Sequence, residues 1–235
     1  MNRLLLKFTE GLNLPRNTHE NLYKKRTNEQ LKLYALSLPD LEYPDTYYLA
    51  GRIYMYSNIK TCPRNIKDYV DILEGILRPE IKEFLLTHSE KIDKVLEDTY
   101  YENFKEQTIL SASANLIYLL RITHEEPPVE TPCHCKLRQA IQFYHKEGLE
   151  RVLKCYYELL DGLYVHASPT MFNSGCYKNQ LGSCYLLTLG DNLEDLLYTG
   201  VGDAGIISKL QGGIGMHLNS IRHSDISNTG KSSGV

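Results

Sequence analysis

Glycine divides this chain into two textures. Eleven of its 16 glycines stand at or after Gly175, while residues 65–161 hold only Gly75 and Gly148. A glycine inside a helix costs about 1 kcal/mol relative to alanine, so a segment nearly free of it and periodic in apolar residues is built for helices. Dense glycine around short apolar runs is built for strands and tight turns. The chain therefore needs two architectures, one after the other.

In the first texture, Ile66, Tyr69, Val70, Leu73 and Ile76 or Leu77 form one helical stripe, which Arg78-Pro79 is expected to end. Ile81, Phe84, Leu85, His88 and Ile92 begin a second helix, and Ile109, Leu116, Leu119 and Leu120 belong to a third. The segment His124-Glu-Glu-Pro-Pro-Val-Glu-Thr-Pro132 carries a double proline and reads as a turn or a partner-facing loop. Leu149, Val152, Leu153, Tyr156 and Leu160 mark an amphipathic helix that Asp161-Gly162 closes, glycine suiting the left-handed cap. This predicts an all-helical bundle of about five helices.

In the second texture, Cys184-Tyr-Leu-Leu-Thr-Leu189 and Gly213-Ile-Gly-Met-His-Leu218 read as buried strands bounded by turns. Residues 191–209 between them can form a helix, with Asp191 or Asn192 as N-cap and Glu194 and Asp195 where the helix dipole favours them. Strand, helix and strand open an α/β layer. Ser227-Asn-Thr-Gly-Lys-Ser-Ser-Gly-Val235 reads as a polar, mobile loop with no closing element. Strands with unpaired edges are not stable in a folded interior, so the expectation is a piece of a longer chain or a fold completed by a partner.

Charge and length exclude several classes. The 235 residues carry 26 Lys+Arg against 29 Asp+Glu, a formal charge of −3, so no polybasic nucleic-acid surface is implied. No apolar run approaches the roughly 20 residues that span a bilayer, and the N-terminus has too short an apolar core for a secretory signal. A cytoplasmic protein is expected, free of direct nucleic-acid or membrane contact. Its six cysteines are then thiols, unless catalysis oxidises one. The 18 tyrosines sit at helical spacing and read as core and interface.

Chemistry gathers in a short stretch. His166-Ala-Ser-Pro-Thr170, Phe172-Asn-Ser-Gly175, Gln180-Leu-Gly-Ser-Cys184, Ile207-Ser-Lys209 and Gly212-Gly-Ile-Gly215 follow one another in order. By residue type alone these are small hydroxyl residues and glycines around one cysteine that opens a strand. Such residues let a ligand approach the backbone, with Ser168 and Ser183 as donors to phosphate or sugar; a tightly packed turn region would look the same. Cys133-His-Cys135 has no second ligand pair at usable spacing, so no metal is expected. Gly230-Lys-Ser232 echoes the end of a P-loop but lacks the glycine that would begin one.

Taken together, the ordered motifs resemble the large (alpha) subunit of class I ribonucleotide reductase, an oxidoreductase that reduces ribonucleoside diphosphates to deoxyribonucleoside diphosphates for DNA synthesis. The likeness is dense over residues 163–222 and extends back to Tyr43-Pro-Asp-Thr-Tyr-Tyr-Leu-Ala-Gly-Arg-Ile53. It implies a mainly α chain: a short segment (1–42) in place of an ATP cone, a helical N-terminal domain (43–180), and the first strands and helix of a ten-stranded α/β barrel (181–235), incomplete here. It also implies that control by ATP or dATP through that cone is absent.

The resemblance further implies that Cys184 is one of two cysteines oxidised to a disulfide as the ribose is reduced, the radical being a thiyl on a third. Ser168, Ser183, Cys184 and Gly213 would hold substrate. Asp191 or Asn192, Lys209, Arg222, Thr229 and Gly230 would hold a deoxynucleoside triphosphate or ATP effector, although Asp191-Asn-Leu-Glu194 departs from the Asp-Ser-Ile or Asp-Ser-Leu of many relatives. No cofactor is expected in this chain; the radical cofactor belongs to the small subunit. Expected partners are that small subunit, the remainder of the large subunit, thioredoxin or glutaredoxin as reductant, and a second copy in a homodimer. In the family the radical cysteine lies beyond the position of Val235, so this chain alone is expected to be silent. Cys184 as a small buried hydrophobe, and Lys209 and Arg222 as solvated charges, are the plain alternatives, as is a catalytically dead homologue kept for binding. A free-standing helical nucleotide-binding module would leave the strands unpaired.

Overall fold

The computed structural model describes residues 7–25, 27–105, 107–123 and 125–234. Residues 1–6, the greater part of the N-terminal run compared with a secretory signal, His124 of the proline-rich segment and Val235 lie outside these. The chain is mainly α-helical with a few short strands and falls into two compact units. The first runs through His166 and takes in Met171–Asn179; the second comprises Ala167–Thr170 and the described residues from Gln180 onward.

The helical unit has two cores. One surrounds helix Thr46–Ile59, which is apolar on nearly every side and buries Leu49, Ile53, Met55 and Ile59 against Phe8, Leu31, Phe104 and Ala112. The other joins helices Ile66–Ile72, Pro79–Thr87, Ser89–Thr99, Pro132–Tyr144 and Leu149–Leu160 through Tyr69, Ile81, Ile92, Ile141, Val152 and Tyr156. Each fully buried Leu, Ile or Val contributes ~1.5–3 kcal/mol, so these stripes are what hold the unit together. Helix Leu149–Leu160 ends as its sequence predicts. Gly162 takes φ 69 and the Leu163 N–H donates to the Glu158 carbonyl at 3.1 Å, closing the last turn.

Elsewhere the helices are shorter and more numerous than five. The first stripe stops at Ile72, because Gly75 turns left-handed (φ 77) before Pro79 is reached. Leu77 then pairs with Cys176 in an antiparallel bridge, and Pro79 opens the next helix, a position its missing N–H suits. At His88 the second stripe breaks into Pro79–Thr87 and Ser89–Thr99. The third helix is Ile109–Asn115 with a 3-10 turn Leu116–Tyr118, leaving Leu119 extended but buried. The proline-rich segment is not partner-facing throughout: Glu130 and Thr131 are buried, and Thr131 caps helix Pro132–Tyr144.

In the second unit β1 (Cys184–Thr188) and β2 (Gly213–His217) pair in parallel. Between them lies an unbroken helical run: a turn at Leu193–Asp195, a π-helical stretch Leu196–Asp203 containing Gly200 and Gly202, and Ala204–Lys209. A helical crossover is what parallel neighbours require. The polar stretch read as a mobile loop is instead a hairpin, β3 (Ser224–Ile226) antiparallel to β4 (Gly230–Ser232). Ser227 at φ 54 makes the turn.

Candidate functional site

The second unit builds its strand entrance from local bonds. Gln180 folds its side-chain amide onto Gly182, accepting from the Gly182 N–H at 2.7 Å and donating to its carbonyl at 2.8 Å. Thr170 Oγ1 donates to the Leu181 carbonyl at 3.1 Å, fastening the residues beside Ser168 to the same entrance. Tyr185 fills the space that side chains at Gly182 and Gly212 would need: a Cβ there would stand 2.6 Å from its hydroxyl and 2.8 Å from its ring.

The register then brings three sequence-selected residues together. Cys184 pairs with Gly213, whose N–H donates to the Ser183 carbonyl at 2.8 Å. A Cβ on Gly213 would lie 3.2 Å from the Ser183 oxygen and 3.9 Å from the Cys184 sulfur, so glycine keeps the backbone beside the thiol open. Cys184 is exposed, Ser183 is half-buried, and Ser168 is exposed at the start of helix Ser168–Asn173.

The other five thiols are buried. Burial pushes Cys62 and Cys135 up to about 12 and Cys133 up to about 11, and raises Cys155 and Cys176 as well. Because the thiolate is the nucleophile, a disulfide reagent at neutral pH should titrate one fast thiol per native chain and release the remaining five only on unfolding. Two or more fast thiols in the native chain would contradict this environment.

The residues expected at an effector site divide. Asp191 and Arg222 meet: Arg222 Nε lies 2.7 Å from Asp191 Oδ2, and the Arg222 N–H donates to Asp191 Oδ1 at 3.3 Å. Asn192, not Asp191, is the N-cap, its side chain accepting from the Asp195 N–H at 2.8 Å. Lys209 ends the helical run, exposed. Thr229 lies in the hairpin turn with its hydroxyl 3.3 Å from that of Ser227, and Gly230 begins β4 opposite Ile226.

The chain is similar to the protein named ribonucleoside-diphosphate reductase large subunit in Acanthamoeba polyphaga mimivirus, at 36% identity over 149 residues, 63% of this chain and 16% of that one. The identically named protein of Dictyostelium discoideum is 30% identical over 191 residues, 77% of this chain and 21% of its own length. That of Arabidopsis thaliana is 30% identical over 219 residues, 86% of this chain and 26% of its own. This chain belongs to the ribonucleoside-diphosphate reductase large-subunit family. No protein-family model matches it. It spans about a sixth to a quarter of the length of these relatives.

Two arginines of this reductase-family chain escaped sequence reasoning. Arg138 and Glu130, both fully buried, form an ion pair at 2.7 Å. Glu130 also accepts from the Tyr69 hydroxyl and the Leu120 N–H, each at 2.9 Å, while Arg138 donates to the carbonyls of Met171, Phe172 and Ser174. Arg52 is buried, and among the described residues no carboxylate meets it: it donates to the Phe8 carbonyl at 2.7 Å and to the Lys105 carbonyl at 3.0 and 2.7 Å. The available signal was an arginine standing among the apolar positions of each helix, Leu137 and Ile141 beside Arg138 and Leu49 and Ile53 beside Arg52, which must find partners because its charge cannot be shed. Cys133 and Cys135 face different cores, and among the described residues no three His, Cys, Asp or Glu side chains group to hold a metal ion.

Proposed function

We propose that this chain forms part of a ribonucleoside-diphosphate reductase and supplies Cys184 to its ribose-reducing site. The observation that carries the reading is the pairing of an exposed Cys184 with Gly213 beside the Ser183 carbonyl, which leaves an unbridged thiol and open backbone at one strand end. Replacing the ribose 2′ hydroxyl by hydrogen, with loss of water, takes two electrons and two protons. Two thiols supply them and end as a disulfide, Cys184 being one and a second cysteine of the complete enzyme the other. A thiyl radical on a further cysteine, generated from the small subunit, takes and returns the 3′ hydrogen. Ser168 and Ser183 offer hydroxyls to the diphosphate and sugar, and thioredoxin or glutaredoxin restores the dithiol. In this reading residues 181–235 open a ten-stranded barrel, residues 43–180 form the helical domain before it and residues 1–42 stand where relatives carry an ATP cone.

The same reading gives Asp191, Asn192, Lys209, Arg222, Thr229 and Gly230 to a deoxynucleoside triphosphate or ATP that selects the substrate. Asp191 takes Arg222 through Nε, which leaves the two terminal guanidinium nitrogens to meet phosphate. The test is alkylation of Cys184 in the chain reconstituted with the rest of a large subunit. A ribonucleoside diphosphate at about ten times its Kd should slow the reaction roughly tenfold, in proportion to occupancy. An unchanged rate with demonstrated nucleotide binding would favour the catalytically dead, binding-only homologue.

A further inference from the structure

The helical unit holds a cavity of about 630 Å3, in the range of small-molecule sites, which none of the residues assigned to nucleotide chemistry lines. Helix Ser89–Thr99 contributes Glu90, Asp93 and Glu97, and Arg64, Tyr100 and His134 also line it. His134 is 2% exposed, with its ring stacked on Tyr69 at 4.5 Å. His134 Nδ1 meets the Thr131 hydroxyl at 2.7 Å and, in a capping box, the Thr131 N–H at 3.4 Å. The N–H can only donate and the hydroxyl, itself accepting from the His134 N–H, has its proton to give, so Nδ1 accepts and the neutral ring carries its proton on Nε2. Burial keeps the ring neutral, lowering its pKa to about 4. That Nε2–H has no acceptor among the described residues, and neither does the buried Tyr100 hydroxyl. Arg64 lies over the Tyr100 ring, 4.0 Å from its centre, and makes no ion pair among the described residues.

Unpaired buried donors are costly, so something with acceptors belongs beside them. We infer that the cavity binds a small molecule with three features: an oxygen acceptor for His134 Nε2, the Tyr100 hydroxyl and Arg64; an apolar body; and an amine for Glu90 and Glu97. Leu96 and Cys133 supply apolar wall for the body. Three carboxylates against Lys94 and Arg64 disfavour a ligand that is anionic throughout, and a purely apolar ligand would leave both donors unpaired.

Phenylalaninamide carries all three features and serves as the probe. In imidazole 1H–15N NMR of the full chain it should shift the His134 resonances saturably, with a Kd of ~1 mM for so small a ligand. 3-Phenylpropanamide, which lacks the amine, should bind about tenfold more weakly, the loss of one charged contact. Arg64→Met leaves the fold's buried bonds intact and should weaken binding about tenfold by the same readout. His134→Gln, which keeps the capping box since Gln suits the third helical position, should do the same as read from the probe's own 1H line broadening. No shift up to ~10 mM probe, or equal binding by the Arg64→Met variant, would overturn the inference and leave a cavity that holds water only.

Discussion

Glu130→Leu is expected to lower the unfolding free energy of the helical unit by about 3–5 kcal/mol, the largest loss among single substitutions considered for this chain. The substitution removes the only carboxylate that meets Arg138 among the described residues; the Arg138 side chain is 1% exposed, so its charge is stranded where water cannot reach it. It also leaves the Tyr69 hydroxyl and the Leu120 N–H without their shared acceptor. Urea denaturation followed by circular dichroism measures the effect. The double variant Glu130→Leu with Arg138→Met should be less destabilised than the sum of the single changes, because the second removes the stranded charge. Additive losses would show that the pair is two independent packing positions.

Gly51→Ala comes second, at about 3 kcal/mol. A methyl group there would overlap the Gln107 carbonyl oxygen and the Thr108 backbone, which pack directly on helix Thr46–Ile59. The obstacle is main chain, so no rotamer change relieves it. The helix and the residues that lead into Ile109–Asn115 must separate, and both belong to the core around Ile53 and Ala112. A thermal melt falling by several degrees supports the close approach; a melt equal to the parent's contradicts it.

Much of the helical unit was legible where one signal acted alone. Helix Leu149–Leu160 had an unbroken stripe and a glycine to stop it, and in the second unit short apolar runs between glycines marked β1 and β2. The strands are not buried as those runs predict: Cys184, Leu186 and Met216 are exposed, and among the described residues no further layer packs over the face that carries Cys184 and Leu186. Legibility failed where two signals competed. Pro79 is the louder punctuation, but Gly75 ended the preceding helix first, and the apolar spacing through His88 concealed a break that only its backbone angles show. The hairpin of β3 and β4 was missed because Ser, Asn, Thr, Gly and Lys offer no alternation of apolar residues; its order comes from turn geometry and main-chain pairing.

The candidate site follows the same division. Gln180, Ser183, Cys184 and Gly213 stand out by type, and the parallel register explains why they belong together. Asp191 and Arg222 lie 31 residues apart, a pairing that no local pattern announces. Glu130 hid in a segment whose prolines advertised a surface turn. Ser168, Lys209, Thr229 and Gly230 have positions in the structure, while their roles rest on the family.

The two buried arginines impose different histories on the sequences that carry them. Arg138 answers to a side chain, so Glu130 and Arg138 are free to change only as a couple, and descendants that lose one should lose both. Arg52 answers to the carbonyls of Phe8 and Lys105, which every amino acid possesses. Residue 105 can therefore drift without disturbing the bonds, and Phe8 is held by its place in the core and not by Arg52, so among the described residues Arg52 has no side chain with which to covary. Its fixity would look unexplained to any method that reads contacts from correlated change.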